Sequence, residues 1–178
     1  MIRFAMPTDA RPLAEMVGEQ MKGPKVSRTR MAAMLEEAIV HDLGLVAESD
    51  SGELQGYILY RVSADLYTER HRGFIRHLCV ARPWRGQGIG SLLLEAAEQE
   101  LGSNTAEVYA LVPEDNPALA RFLARHGYRP MELSVYAGWS RAAGKALYVK
   151  TMSGWLAEAA VPEAASRVIS FSPGQPSL

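Results

Sequence analysis

The sequence carries a single cysteine, Cys79, in 178 residues. One thiol cannot close an internal disulfide, and no Cys/His cluster has zinc-binding spacing, so no metal site is expected. No uncharged apolar run approaches the ~20 residues of a membrane span. The opening Met1-Ile2-Arg3-Phe4-Ala5-Met6-Pro7 lacks the apolar stretch of a secretion signal. Excess charge is missing too, since 19 Lys+Arg face 20 Asp+Glu for a net charge of −1. No global field therefore draws the chain to nucleic acid or to an anionic membrane. There is no internal repeat, and no low-complexity tract before the last quarter. What is present, 48% hydrophobic and 22% charged residues, excludes a disordered or fibrous chain. The length suits one domain with an appendage, burying roughly 70% of its unfolded surface without staples. The expectation is a soluble, cytoplasmic globular protein.

Hydrophobic periodicity divides the chain into alternating elements. Ile2–Ala5 reads as a strand, followed by a helix capped by Thr8 or Asp9 with Leu13, Met16, Val17 and Met21 at helical spacing. Lys22-Gly23-Pro24 breaks it, and Ser27 starts a second helix with Met31, Met34, Leu35, Ala38 and Ile39 on one face. Leu43–Glu48 and Leu54–Val62 form a hairpin across Ser49-Asp50-Ser51-Gly52, and Phe74–Val80 is a third strong strand. Ser91–Leu101, with Leu92, Leu93, Ala96 and Ala97 inward, and Asn116–His126 read as helices, each followed by glycine. Glu107–Val112, Tyr128–Tyr136 and Lys145–Met152 complete the strands. The order β-α-α-β-β-β-α-β-α-β-β mixes hairpins with crossovers and predicts an α/β fold with a mixed sheet. Residues 152 to 178 are rich in Ala, Ser and Pro, with only Glu158, Glu163 and Arg167 charged.

The stretch with most chemical content is Leu78-Cys79-Val80-Ala81-Arg82-Pro83-Trp84-Arg85-Gly86-Gln87-Gly88-Ile89-Gly90-Ser91. Glycines at 86, 88 and 90 let successive backbone N–H groups converge on a concave nest, to which the following helix adds its positive end. Strand, glycine turn and helix in that order make a cradle for pyrophosphate. It is neither of two familiar phosphate loops: G-x-G-x-x-G would need glycine at 91, and Gly-Lys-Ser/Thr is absent. A tight turn before a helix, with no ligand, is the competing reading.

Arg85-Gly86-Gln87-Gly88-Ile89-Gly90 matches Arg/Gln-x-x-Gly-x-Gly/Ala, and Leu78-Cys79-Val80 supplies a Leu-x-Val strand end before it. With Asn116 and Gly127-Tyr128 downstream and Ile2-Arg3-x-Ala5 and Asp9 at the start, the sequence resembles the GNAT-type N-acetyltransferase superfamily over roughly residues 1 to 151. The resemblance implies a GNAT fold, a mixed sheet of six to seven strands flanked by four helices, and acetyl-CoA as co-substrate without a metal. It implies that Arg85, Gly86, Gln87, Gly88, Ile89, Gly90 and Ser91 hold the pyrophosphate. Backbone atoms of Cys79 and Val80 would pair with the pantetheine arm, and Asn116 would bond it further along. The Val80 N–H would polarise the acetyl carbonyl and stabilise the oxyanion.

The chain departs from the family where proton transfer is concerned. Positions nine and eleven residues before Arg85, where a base is often placed, are Arg76 and Phe74. His77 is adjacent, and in an unbulged strand it points to the opposite face. It is the candidate base, against a packed or hydrogen-bonded histidine. The usual tyrosine acid, seven residues after Asn116, is replaced by Leu123; Tyr136, Tyr109 and Glu114 are candidate substitutes, and Tyr136 is the one carried forward. Met16, Met21, Met31 and Met34 can fill the core or line a pliable acceptor groove. Asp65, Glu69, Arg70, His71 and Arg72 lie in a polar loop that borders the acceptor or is simply solvated. Arg70, Arg72, Arg76, Arg82 and Arg85 are the whole case for nucleic acid, and CoA phosphates already account for two of them.

The leading expectation is an N-acetyltransferase moving acetyl from acetyl-CoA to an amine on a small molecule, a peptide terminus or a lysine. The alternative is a non-catalytic GNAT-fold assembly module. The extension beyond residue 151 is expected to act as a docking arm through Trp155 and Phe171, on its own domain, a second copy or a larger assembly.

Overall fold

The computed structural model describes residues 1–19, 26–64, 71–102, 105–131 and 144–152. Seven strands, β1 (Ile2–Phe4), β2 (Leu43–Glu48), β3 (Leu54–Ala64), β4 (His71–Val80), β5 (Thr105–Pro113), β6 (Arg129–Met131) and β7 (Lys145–Thr151), form one sheet. Their order is β1-β2-β3-β4-β5-β7-β6. All pairs are antiparallel except β4–β5. The α/β architecture with a mixed sheet and four helices, α1 (Ala10–Gly18), α2 (Arg28–His41), α3 (Ile89–Leu101) and α4 (Pro117–Arg125), is therefore that expected from the sequence.

Strand alternation sends side chains to two cores. Leu45, Ile58, Tyr60, Val108, Ala110 and Val112 pack against α3 and α4. Val46, Tyr57 and Leu59, from the intervening positions, pack against α1 and α2. Met16 and Met31 are buried in the second core, whereas Met34 is exposed. Apart from Met34, the stripe read on α2 therefore faces the sheet.

Several boundaries differ from the sequence reading. Pro7–Asp9 forms a 3₁₀ turn before α1, and Asp9 does not cap that helix. Its carboxylate instead accepts from the Met6 N–H at 2.8 Å and from both terminal nitrogens of Arg3 at 2.8 and 3.0 Å. Arg3 also donates to Glu48 at 2.6 Å, fastening β1 to β2 and to the start of α1. α3 begins at Ile89, two residues before the expected Ser91. β6 is described over Arg129–Met131, and the expected continuation to Tyr136 falls outside the described residues. So do Lys22-Gly23-Pro24, Met21, Asp65 to Arg70, and the extension from residue 153 onward, with its Trp155 and Phe171.

The part-buried Arg3–Asp9 pair gives a stability prediction. The Arg3 hydrogen bond, followed by that of the Met6 N–H, holds the Asp9 carboxyl below its ordinary pKa against the opposing cost of burial. Asp9→Ala leaves Arg3, a quarter exposed, without its bidentate partner; a loss of about 2–3 kcal/mol in urea unfolding at pH 7 is expected. Because the folded pKa is depressed, this contribution is complete above the ordinary value of ~3.9 and is lost as pH falls through the folded value. The parent should therefore lose more stability between pH 7 and acid than Asp9→Ala does. Parallel pH–stability curves would refute the assignment.

Candidate functional site

The site is organised by the one parallel strand pair. β4 and β5 pair from His71↔Thr105 to Ile75↔Ala110 and no further. Beyond that point β4 continues along β3 to Val80, while β5 continues along β7 to Pro113. The sheet thus opens into a fork whose floor is Ile75 and Ala110. A cavity of about 280 Å³ occupies it, lined by Leu78, Leu111, Asn116, Leu119, Leu123 and Lys145 among others.

Hydrogen-bond phase decides which backbone groups face this fork. Ala81 N–H donates to the Gln55 carbonyl at 2.9 Å, flanking the Gly56–Val80 pair. In an antiparallel ladder that makes Gly56–Val80 a non-hydrogen-bonded pair, as is Ile58–Leu78 two positions earlier. The N–H and C=O of Leu78 and Val80 therefore point to the β5 side, whereas those of Cys79 point back to Tyr57, which corrects the expectation that Cys79 offers its backbone to the arm. The Val80 carbonyl accepts from Arg85 Nε at 3.1 Å, which draws the cradle arginine to the mouth of the fork. Gly56 is needed beneath this edge, because a Cβ there would lie 2.7 Å from the Cys79 carbonyl.

Below the fork lies the glycine turn. Gly86 and Gly88 have φ of +77° and +84°, and a Cβ on either would meet nothing within 4 Å. Their glycine character thus serves backbone conformation and an open concavity, not packing. Gly88 is the residue before α3, so the first N–H groups of a 13-residue helix open into the same hollow. A cavity of about 290 Å³ is lined there by Val80, Trp84, Arg85, Gly88, Ser91 and Arg125. The Gln87 side chain donates back to the Pro83 carbonyl at 3.0 Å and braces the turn. Ser91 Oγ lies 3.0 Å from His126 Nε2, tying the head of α3 to the end of α4. The Trp84 indole nitrogen is buried without a hydrogen-bond partner among the described residues. Open cradle, helix N-terminus and two arginines fit a pyrophosphate.

Asn116 caps α4, its Oδ1 accepting from the Leu119 N–H at 3.1 Å, which leaves its NH₂ group for a ligand in the fork. Leu123 is buried in the core, as an apolar residue there should be. Tyr109 is buried, stacks on Phe74 at 5.4 Å and donates its hydroxyl to Glu107. Glu114 is exposed. Tyr136 lies outside the described residues.

His77 occupies a position that simple alternation does not predict. Leu59 pairs with His77, yet the next residue, Tyr60, pairs with Ile75, so Arg76 is an extra residue in β4. This bulge resets the alternation. Ile75 and Leu78 both pack toward α3 and α4, while Cys79 packs toward α1 and α2. His77 therefore shares the α1/α2 side of the sheet with Tyr57, whose ring stacks against it at 6.3 Å and whose hydroxyl is 3.4 Å from Nδ1. The unbulged geometry assumed from the sequence is corrected accordingly. The missed signal was legible: inward apolar residues at 75 and 78 are three apart, a spacing that a regular strand cannot put on one face.

Partial burial is the main influence lowering the His77 pKa; Arg76 and Lys145 lower it further and Asp42 opposes them. The ring is thus held neutral at pH 7 and can accept a proton. Tyr57, by contrast, is kept a phenol by burial.

A mixed sheet that parts its parallel strands beside a glycine cradle is an acyltransferase scaffold. The chain belongs to the acetyltransferase (GNAT) family, whose sequence profile matches residues 14–128. Membership carries acetyl transfer as a class of chemistry. Among solved structures it is similar to a ribosomal-protein-alanine N-acetyltransferase from Brucella melitensis, at 20% identity and TM-score 0.62, over 85% of this chain and 99% of that one. It is similar to a GNAT-family acetyltransferase from Staphylococcus aureus at 14% identity and TM-score 0.69, covering 85% and 98%. A GNAT-family N-acetyltransferase from Escherichia coli, solved in complex with CoA, aligns at 23% identity and TM-score 0.60, covering 85% and 80%. No curated protein matches the chain significantly. Among the described residues no helix is long and apolar enough to cross a membrane, and no group of three or more His, Cys, Asp or Glu is placed to hold a metal ion.

Proposed function

We propose that this protein transfers an acetyl group from acetyl-CoA to a primary amine, with His77 as the base. The observation that carries the reading is the fork above the glycine cradle, with the bulge turning His77 to its far side. Acetyl-CoA supplies the acetyl thioester, the electrophile of the reaction. The N–H groups of Gln87, Gly88 and Gly90, with Arg85 at the rim and the head of α3 behind them, bind the pyrophosphate. Leu78 and Val80 offer the strand edge to the pantetheine arm, Cys79 spaces them, and the Asn116 NH₂ donates further along. The Val80 N–H, directed to the β5 side, offsets negative charge developing on the acetyl oxygen.

In the tautomer with the proton on Nδ1, facing the Tyr57 oxygen, His77 keeps the Nε2 lone pair available. Nε2 takes the proton of the amine as its nitrogen bonds to the acetyl carbon. Leu123 offers no proton on the arm side, and Tyr136 is the proposed donor to the departing sulfur. Calorimetric titration with acetyl-CoA, followed by thiol release over a panel of primary amines, tests the reading. Binding with turnover is expected. Binding without turnover across the panel supports the assembly module instead, and absence of binding removes the cofactor assignment altogether.

A further inference from the structure

Resting on that reading, we propose that the acceptor is an amine flanked by an anionic group on one side and an apolar group on the other. A free α-amino acid with an apolar side chain has this pattern. Two cavities on the α1/α2 side of the sheet share one wall. The first, about 440 Å³, is lined by Arg61, Ser63, Arg76, His77, Tyr109 and Lys145 among others. The second, about 340 Å³, is lined largely by apolar groups, including Met31, Met34, Leu35, Tyr57 and Leu59. Arg76 and His77 line both, so the base stands where the two lobes meet.

The charge of the first lobe is unbalanced. Asp42, at the end of α2, has a side chain only 5% exposed and sits 2.6 Å from Arg61 Nε and 3.8 Å from Arg76 Nε. One carboxylate thus faces two guanidinium groups. Lys145 adds a third cation and has no ion pair among the described residues. Asp42 lines the second lobe and orients the two arginines from there, while the first lobe's own lining, among the described residues, holds three cations and no carboxylate. A polyamine or a lysine-rich peptide meets repulsion there, and a peptide N-terminus brings only a neutral amide next to its amine. A carboxylate compensates the lobe and forms charge-assisted hydrogen bonds with it.

The second lobe selects the opposite character. Met31 and Met34 are adaptable, and Leu35, Tyr57 and Leu59 give the groove an apolar floor. An amine whose carbon carries a carboxylate and an aliphatic chain can place one substituent in each lobe and its nitrogen at His77. The transfer balances with the groups named: the N–C bond forms, the C–S bond breaks with its electron pair going to sulfur, and the amine proton passes to His77.

The test compares L-leucine with L-leucinamide, which lacks the anion, isoamylamine, which lacks the carboxylate, and glycine, which lacks the apolar chain. Thiol release from acetyl-CoA is followed for each with the full-length protein. Leucine should exceed each of the other three in kcat/KM by about 10–100-fold, the effect of one charged hydrogen bond or one buried aliphatic chain. The amide's amine is less basic, so its larger neutral fraction works against the expected order. Lys145→Gln should erase most of the preference for leucine over leucinamide when both are compared at saturating acetyl-CoA, since Lys145 also lines the fork. Turnover of leucinamide or isoamylamine as fast as leucine, or a preference that survives Lys145→Gln, overturns the inference while leaving acetyl transfer intact. Thiol release with none of the four, nor with any amine of the wider panel, overturns both.

Discussion

His77→Gln is expected to lower kcat by about 10²–10⁴-fold, the usual loss on removing a positioned base. Acetyl-CoA affinity should change far less than kcat, because His77 lines the fork but not the cradle cavity. Glutamine approximates the reach of histidine and hydrogen-bonds but cannot take a proton at neutral pH, so the comparison isolates proton transfer from packing. The pH profile carries independent information. Partial burial, Arg76 and Lys145 all disfavour the imidazolium, so the folded pKa lies below the ordinary histidine value. With a depressed value the active, neutral form persists as pH falls through ~6.5, where an unperturbed histidine would already be half protonated. The acid limb of kcat in the parent should thus fall below that point and vanish in His77→Gln. Equal kcat in variant and parent would remove His77 from the mechanism.

Gly88→Val should abolish measurable acetyl-CoA binding, a loss of more than about 100-fold, while the protein remains folded. A φ of +84° at this position is one that valine, branched at Cβ, adopts only at a cost of about 1–2 kcal/mol or more. No protein atom lies within 4 Å of the position its Cβ would take, so the added methyls project into the hollow that the pyrophosphate would fill. Gly90 is the useful contrast. A Cβ there would meet the Phe122 ring at 3.5 Å, an ordinary contact, and its φ is not positive. Gly90→Ala should therefore leave the fold unchanged. Calorimetry with acetyl-CoA and a melting scan separate binding from folding, and unchanged affinity in Gly88→Val would refute the cradle.

The cradle was legible in the sequence because its chemistry is local. Three glycines at alternate positions before a helix constrain one backbone turn, and no distant residue is needed to read it. The helix after it was legible for the same reason, but its inward face lies one position off the expected one: Leu93, Leu94 and Ala97 are buried, whereas Leu92 is exposed. The fork was not. Where β4 ceases to pair with β5 depends on the register of two strands separated by α3, which neither strand encodes alone. Asp9 misled because a carboxylate before a helix has two uses. Here the non-local partner Arg3 outcompetes the N–H groups of α1. The cationic lobe was illegible as well, since Arg61, Arg76 and Lys145 come from three strands and meet only in the folded sheet.

The bulge at Arg76 also bears on how this strand can be exchanged between relatives. An extra residue has been absorbed between Ile75 and Leu78, so segment length, more than side-chain identity, sets which groups face the cleft. A segment transplanted from a regular strand must be one residue shorter over this interval. Matched residue for residue, it would turn its core-facing side chains to the α1/α2 side and its polar ones toward α3 and α4. For the same reason, sequence comparisons across this strand need a gap at position 76 whenever the other protein's strand is regular; without one, the residue aligned with His77 occupies the wrong side of the sheet.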